Sequence, residues 1–276
     1  MSDPRLTPAN ARVAHDTLRG VVQADRFTPG MLRRVITPVA DILRAPNGPR
    51  DRQALFGEHI LLLEEIDGFG FVQAERDGYV GYMDLANMGN AQRPTHWVSA
   101  AGSHLYPQAD FKTKEDMTLS FGARVNITAN HGRFSETQDG QFVPNTHLSP
   151  VGTTLPDPIK TAALFLGTPY LWGGNSRDGI DCSGLIQAAL MAAKYDCPGD
   201  SDMQEKIGRN IPEGAPLNRG DLLFWKGHVA MVFDHVHLIH ANAHHMAVVL
   251  EPIEAAIARI ADQGDGGVTA QRRFLP

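Results

Sequence analysis

Downstream of residue 150 the hydrophobic pattern has two periods. Leu185, Ile186, Ala189, Leu190 and Ala193 recur at helical spacing, which predicts a helix beginning at or beside Cys182. Ile159, Ala162, Ala163 and Leu166 give an earlier helix one apolar face, with Asp157 placed to cap it and Pro158 suited to its first position. The runs Gly227-His-Val-Ala-Met-Val-Phe233 and His237-Leu-Ile-His-Ala241 predict strands. Ser201-Asp-Met-Gln204 fits a capping box, and the tail predicts a helix over 253–261 and a last strand over 268–275.

The upstream half has a different texture. Residues 33–90 hold Asp41-Ile-Leu-Arg44, Leu55-Phe-Gly-Glu58, Ile60-Leu-Leu-Leu-Glu64, Phe71-Val-Gln-Ala74 and Asp77-Gly-Tyr-Val-Gly-Tyr82. Residues 95–150 echo them weakly with Ser103-His-Leu-Tyr106, Leu119-Ser-Phe-Gly122, Arg124-Val-Asn-Ile127 and Asp139-Gly-Gln-Phe-Val143. Short strands separated by Gly, Asp and Asn turns predict two small β-barrels. Residues 1–30 read as an arm with a helix over 9–22, stopped by Thr28-Pro29-Gly30, and 153–158 as a linker. The predicted organisation is therefore an arm (1–30), two β domains (31–92 and 93–150) and a mixed domain (151–276).

Composition narrows this picture modestly. A chain of 276 residues suggests about two domains at roughly 150 residues each. A net charge of −6 argues against a nucleic-acid or anionic-membrane surface. The two cysteines, Cys182 and Cys197, offer neither a disulfide framework nor zinc-ligand spacing. The opening residues lack a basic segment followed by an apolar stretch, and no run is long enough to span a bilayer, so the expectation is a soluble, cytoplasmic protein.

The chemistry concentrates where the helix begins. Tyr170-Leu-Trp-Gly-Gly-Asn-Ser-Arg-Asp-Gly-Ile180 leads into Asp181-Cys-Ser-Gly184, delivering a cysteine to a helix N-terminus. There, unpaired N–H groups and the helix dipole favour the thiolate and predict a pKa below the usual value of about 8.5. Gly173, Gly174, Gly179 and Gly184 allow tight turns and close approach of a substrate. His228 and His240 lie twelve residues apart, so adjacent antiparallel strands can bring both rings to one sheet edge, giving a nucleophile, a general base and an orienting group. Blander readings compete: Asp181 as a plain helix cap, Tyr170 and Trp172 as loop packing, Asp77, Tyr79 and Tyr82 as turn and barrel residues. His235, His237, His244 and His245 lack carboxylate or cysteine partners at metal-binding spacing, so neither metal nor cofactor is expected.

Tyr-x-Trp-Gly-Gly at 170–174, Asp-Cys-Ser-Gly at 181–184, Gly-Asp-Leu at 220–222 and Gly-His-Val at 227–229 together resemble the NlpC/P60 cell-wall cysteine peptidases over residues 157–276. Gly-Glu at 57–58 and Asp-Gly-Tyr-Val-Gly-Tyr at 77–82 resemble bacterial SH3-like domains, although Phe69 or Phe71 stands where a tryptophan is frequent. The resemblance implies an α+β papain-like catalytic domain preceded by two small all-β SH3-like barrels. It also implies γ-D-glutamyl-L-diamino-acid endopeptidase activity on peptidoglycan-derived peptides, with free L-Ala-γ-D-Glu-diaminopimelate in murein recycling as the expected substrate. In those terms Cys182 attacks, His228 transfers protons and His240 orients it. Tyr170, Asp181 and Ser183 are candidates for binding substrate, and an acid of the first barrel, Asp77 or Glu75, for closing the amine pocket. An amidase or acyltransferase on the same scaffold, or a non-enzymatic wall-binding module, are the alternatives.

Overall fold

Burial selects which of the apolar runs become sheet and which become helix. The computed structural model describes residues 3–212 and 214–274 and divides the chain into two compact units, Met1–Thr153 and Thr154–Pro276. In the first unit, seven antiparallel strands form one sheet in the order Arg50–Leu55, Val39–Leu43, Val80–Asp84, Phe69–Ala74, His59–Ile66, Met31–Val35, Met88–Asn90. Residues 96–150 instead form three small sheets around Val98, Leu105, Leu119, Val125 and Val143, so the weak repeat in the sequence is not repeated in strand order.

The expected helix over 9–22 is absent. Val13–His15 is a strand, paired in parallel with Arg26–Thr28, and Pro4–Leu6 and Asp16–Leu18 are single 3-10 turns. The Asn10 side chain accepts hydrogen bonds from the Arg12 and Val13 N–H groups, an arrangement that competes with helix formation. Consecutive residues Val13 and Ala14 are both fully buried, Val13 against Leu63 and Phe71. The segment is thus part of the first unit's core.

Phe56 extends the core of the 96–150 region, and the next residue carries a conformational demand. Gly57 has φ +75°, and a Cβ there would overlap the backbone carbonyl of Arg124, whose own N–H donates to Phe56 O at 2.8 Å. Gly57→Ala is expected to destabilise the first unit by about 3 kcal/mol, of which the left-handed backbone accounts for about 1 to 2. Urea titration of residues 1–153 and of the full chain checks this; an unchanged midpoint contradicts it.

The second unit is built on a six-stranded antiparallel sheet. Its strands are β1 (Arg209–Asn210), β2 (Leu222–Trp225), β3 (His228–Val232), β4 (His237–Asn242), β5 (Ala247–Pro252) and β6 (Ala270–Arg273), in the order β1-β6-β2-β3-β4-β5. Helices α1 (Pro158–Ala163), α2 (Cys182–Ala192), α3 (Ser201–Gln204) and α4 (Ile253–Asp262) complete it. Asp157 caps α1 through the Ile159 and Lys160 N–H groups. Capping at α3 differs from expectation: Asp200 holds the N-cap position, Ser201 is already helical, and no side-chain cap bond forms to the helix. The last strand ends at Arg273, and Leu275 lies outside the described residues.

Period-2 alternation explains the sheet's two faces. Leu223, Trp225, Ala230, Val232 and Leu238 pack against Ala256 and Ile260 of α4. Val229, Met231, Ile239 and Ala241, pointing the other way, are buried too, and α2 packs on β3 and β4. Buried on most sides, α2 shows nearly continuous apolar sequence rather than a single stripe.

Candidate active site

Cys182 is the first residue of α2 because Asp181 ends the preceding loop in an extended conformation and caps the helix. Asp181 Oδ1 accepts from the Gly184 N–H at 2.6 Å and from the Ser183 hydroxyl at 3.0 Å, while Oδ2 accepts from the Gly173 N–H at 3.0 Å. The carboxylate therefore ties the Gly173 turn to the helix start. Gly173 alone of the four loop and helix glycines needs φ > 0 (+69°). The other three are required by close approach: a Cβ on Gly184 would stand 2.6 Å from Gly174 O, and one on Gly174 would stand 2.5 Å from Gly179 O.

The sulfur of Cys182 sits beside the start of β3, 4.0 Å from Gly227 O, with N–H groups of Val229, Ser183 and Cys182 directed at it. The residue is 6 % exposed. Burial, followed by the charge of Asp181, pushes the thiol up to about 12 against these three donors, which overturns the lowered pKa expected from the helix N-terminus. Desolvation of a buried thiolate outweighs the favourable first-turn dipole.

Antiparallel pairing of β3 with β4 sets Met231 opposite Ile239 and Val232 opposite Leu238, and brings the two histidines together. His228 Nε2 lies 3.0 Å from His240 Nδ1. His240 is wholly buried, and its Nε2 is 3.0 Å from Glu251 Oε2. Burial, then the neighbouring His240 and Arg259, drive the His228 pKa down to about 3; burial likewise drives His240 down to about 4, opposed by Glu251. Resting Cys182 and His228 are thus both neutral, suited to a proton transfer that accompanies attack on substrate.

The remaining candidates are placed as follows. Tyr170 is half-buried, its N–H donating to Met246 O at 2.9 Å, and burial together with the charges of Cys182 and Asp181 raises its phenol pKa. Trp172 is 66 % exposed. Ser183 and Asp181 bond to each other within the cap. Asp77 and Glu75 belong to the first unit. The Asp77 side chain is buried, accepting from the Tyr79 N–H at 3.1 Å and lying 3.7 Å from Arg76 Nε, whereas Glu75 is exposed and paired with His59 at 2.8 Å. Cys197 is buried, its sulfur 3.6 Å from Pro198 O. His237, His244 and His245 contact Asp234, Gln263 and Asn242, and among the described residues no three His, Cys, Asp or Glu side chains cluster as metal ligands.

Two glutamines and an ion pair support this geometry, and of them the sequence marks only Gln204, as part of a capping box that does not form. Gln204, fully buried, donates to Ser183 O and Pro198 O at 2.9 Å each, and Gln187 donates to Cys197 O at 3.0 Å, anchoring α2. Glu251 is held by Arg259 through contacts of 2.8 and 2.7 Å. An isolated Gln187 and a Glu-Pro pair carry no motif, and the capping-box reading of Gln204 points to a different role.

Residues 167–259, which contain this constellation, match the NlpC/P60 family, and residues 42–88 match the bacterial dipeptidyl-peptidase Sh3 domain. The chain combines an NlpC/P60 domain with a bacterial dipeptidyl-peptidase SH3 domain. Among similar proteins, a γ-D-glutamyl-L-lysine dipeptidyl-peptidase of Bacillus subtilis is 28 % identical over 247 residues, covering 71 % of this chain and 82 % of the relative. A protein of the same name from Bacillus cereus is 25 % identical over 238 residues, covering 74 % and 70 %. The crystal structure of an NlpC/P60 family protein from Bacillus cereus superposes with a TM-score of 0.75 at 21 % identity, covering 89 % of this chain and all of that one. The α+β catalytic fold of the NlpC/P60 domain agrees with that neighbour. No helix among the described residues is long and apolar enough to cross a membrane.

Proposed function

We propose that this chain is a cysteine peptidase that hydrolyses the γ-D-glutamyl-diamino-acid bond of peptidoglycan stem peptides. The observation that carries the reading is that the helix-start cysteine sits beside the strand that bears His228, its sulfur 4.0 Å from Gly227 O, while His228 is 3.0 Å from His240. In this mechanism the Cys182 thiol passes its proton to His228 as the sulfur attacks the γ-glutamyl carbonyl. The Cys182 N–H supports the oxyanion. Collapse of the tetrahedral intermediate breaks the C–N bond, and protonated His228 gives its proton to the departing amine. Water, deprotonated by His228, then attacks the thioester, and the sulfur leaves as the thiol is re-formed.

The names of the two Bacillus relatives, γ-D-glutamyl-L-lysine dipeptidyl-peptidases, support release of a dipeptide by cleavage after γ-D-glutamate, and we take L-Ala-γ-D-Glu-diaminopimelate as the substrate of this chain. Such peptides have a free alanine amine only after release from muramic acid, which favours a role in murein recycling. We assign Tyr170, Asp181 and Ser183, which lie at and before the start of α2, to substrate binding. The SH3 match and the antiparallel order of the seven-stranded sheet support reading residues 31–92 as an SH3-like barrel; the single core of 96–150 supports reading 93–150 as a second.

A buried ammonium requires a counter-charge, and acetylation removes both the charge and the small size of the amine. N-acetyl-L-Ala-γ-D-Glu-diaminopimelate is therefore expected to be cleaved with kcat/KM about 100-fold below that of the free peptide. Mass spectrometry of products from both peptides and from intact peptidoglycan tests this. Equal rates on free and blocked peptides reject the amine-dependent reading and leave the peptidase assignment in place.

A further inference from the structure

Behind the histidine pair lies a line of hydrogen bonds with only one consistent polarity. Arg259 is a donor only, and its Nε and Nη2 lie 2.8 and 2.7 Å from Glu251 Oε1 and Oε2. These bonds hold the Glu251 carboxylate below its ordinary pKa, helped further by His240. An ionised carboxylate can only accept, so the proton between Glu251 and His240 must sit on His240 Nε2, at 3.0 Å. In neutral His240 the other ring nitrogen, Nδ1, is then an acceptor. The 3.0 Å contact between His240 Nδ1 and His228 Nε2 must take its proton from His228 Nε2, leaving His228 Nδ1 as the lone-pair nitrogen.

The fold makes this arrangement rigid. Val249 is the cross-strand partner of His240, and Glu251, two residues on, falls on the same face of β5 diagonal to the ring. That face is the one α4 covers, and Arg259 projects from α4. Glu251 is 8 % exposed and His240 fully buried, so water does not compete for the bonds that set the tautomer.

We infer that Glu251, clamped by Arg259, is a positioning residue that fixes the tautomers of both histidines and so presents the unprotonated Nδ1 of His228 as the base. The inference rests on the peptidase reading for its catalytic consequence, but the tautomers themselves are properties of the resting protein. Glu251 accepts a hydrogen bond throughout and takes up no proton. The charged and titratable groups around the pair are Cys182 from α2, Glu251 from β5, Arg259 from α4 and His245 from the β4–β5 turn.

The experiment uses the full chain labelled with 15N-histidine, read by two-bond 1H–15N correlation at neutral pH, together with pH profiles of kcat/KM on L-Ala-γ-D-Glu-diaminopimelate. Both His228 and His240 are expected to be Nε2–H tautomers. Glu251→Gln removes the charge that favours imidazolium and frees the amide to donate. It should lower kcat/KM by about 10-fold to 100-fold with little change in KM, and move the acid limb to lower pH. Glu251→Asp, which keeps the carboxylate, should hold the acid limb near that of the parent. Arg259→Lys gives a second route if Glu251→Gln fails to fold: a single ammonium replaces the two-point clamp, and the histidine tautomers become mixed. An Nδ1–H tautomer of His228 in the parent overturns the inference. So does a Glu251→Gln protein with parental tautomers and an unmoved acid limb. Absence of turnover on every peptide, with the tautomers as expected, overturns the peptidase reading instead.

Discussion

Cys182→Ala is expected to fold normally and to lose hydrolysis of L-Ala-γ-D-Glu-diaminopimelate by about 10⁴-fold or more. The loss follows from chemistry that no neighbour can replace. A thioester requires sulfur, and the other cysteine, Cys197, lies past the end of α2 with its sulfur against Pro198 O. Folding should survive because the helix start is organised by Asp181, whose carboxylate bonds to Gly184, Ser183 and Gly173 do not involve the Cys182 side chain. Removing one buried sulfur costs about 1 kcal/mol. Circular dichroism and urea midpoints establish the fold, and single-turnover assays establish the rate. Full hydrolysis by a folded Cys182→Ala protein would falsify the thioester mechanism.

What the sequence discloses about this site depends on how local each cause is. The capping of α2 by Asp181 and the glycine-rich approach to Cys182 are encoded within fifteen consecutive residues, so they are readable without knowledge of the sheet. His228 and His240 need one further fact, that the runs containing them pair antiparallel, and their spacing already suggests it. Glu251 and Arg259 need three: the β4–β5 register, the face assignment of β5 and the packing of α4. Written out, Glu251-Pro252 at a strand end resembles an ordinary solvent-facing position. The thiol pKa fails for a similar reason, since helix position is local while burial is decided by β3 and the surrounding core. In the first unit the same gap turns an expected helix over 9–22 into a strand: Val13 and Ala14 gain burial that helical propensity does not register.

The histidines should rank unequally. His228→Ala is expected to fall by about 10⁴-fold, close to the loss from Cys182→Ala, because one ring serves both half-reactions: it removes the thiol proton and protonates the departing amine, then activates water. His240→Ala leaves that ring in place and removes only its acceptor at 3.0 Å, so intermediate activity should persist. Because His240 is wholly buried and bonded to Glu251, alanine there also leaves a carboxylate without one partner, and His240→Asn is the fairer test of orientation. His244→Ala and His245→Ala serve as controls, since His244 contacts Gln263 and His245 contacts Asn242 rather than His228. kcat and KM for the five variants on one peptide decide the ranking. His244 or His245 proving indispensable while His240→Asn retained full activity would remove His240 from the mechanism and, with it, the path through which Glu251 acts on His228.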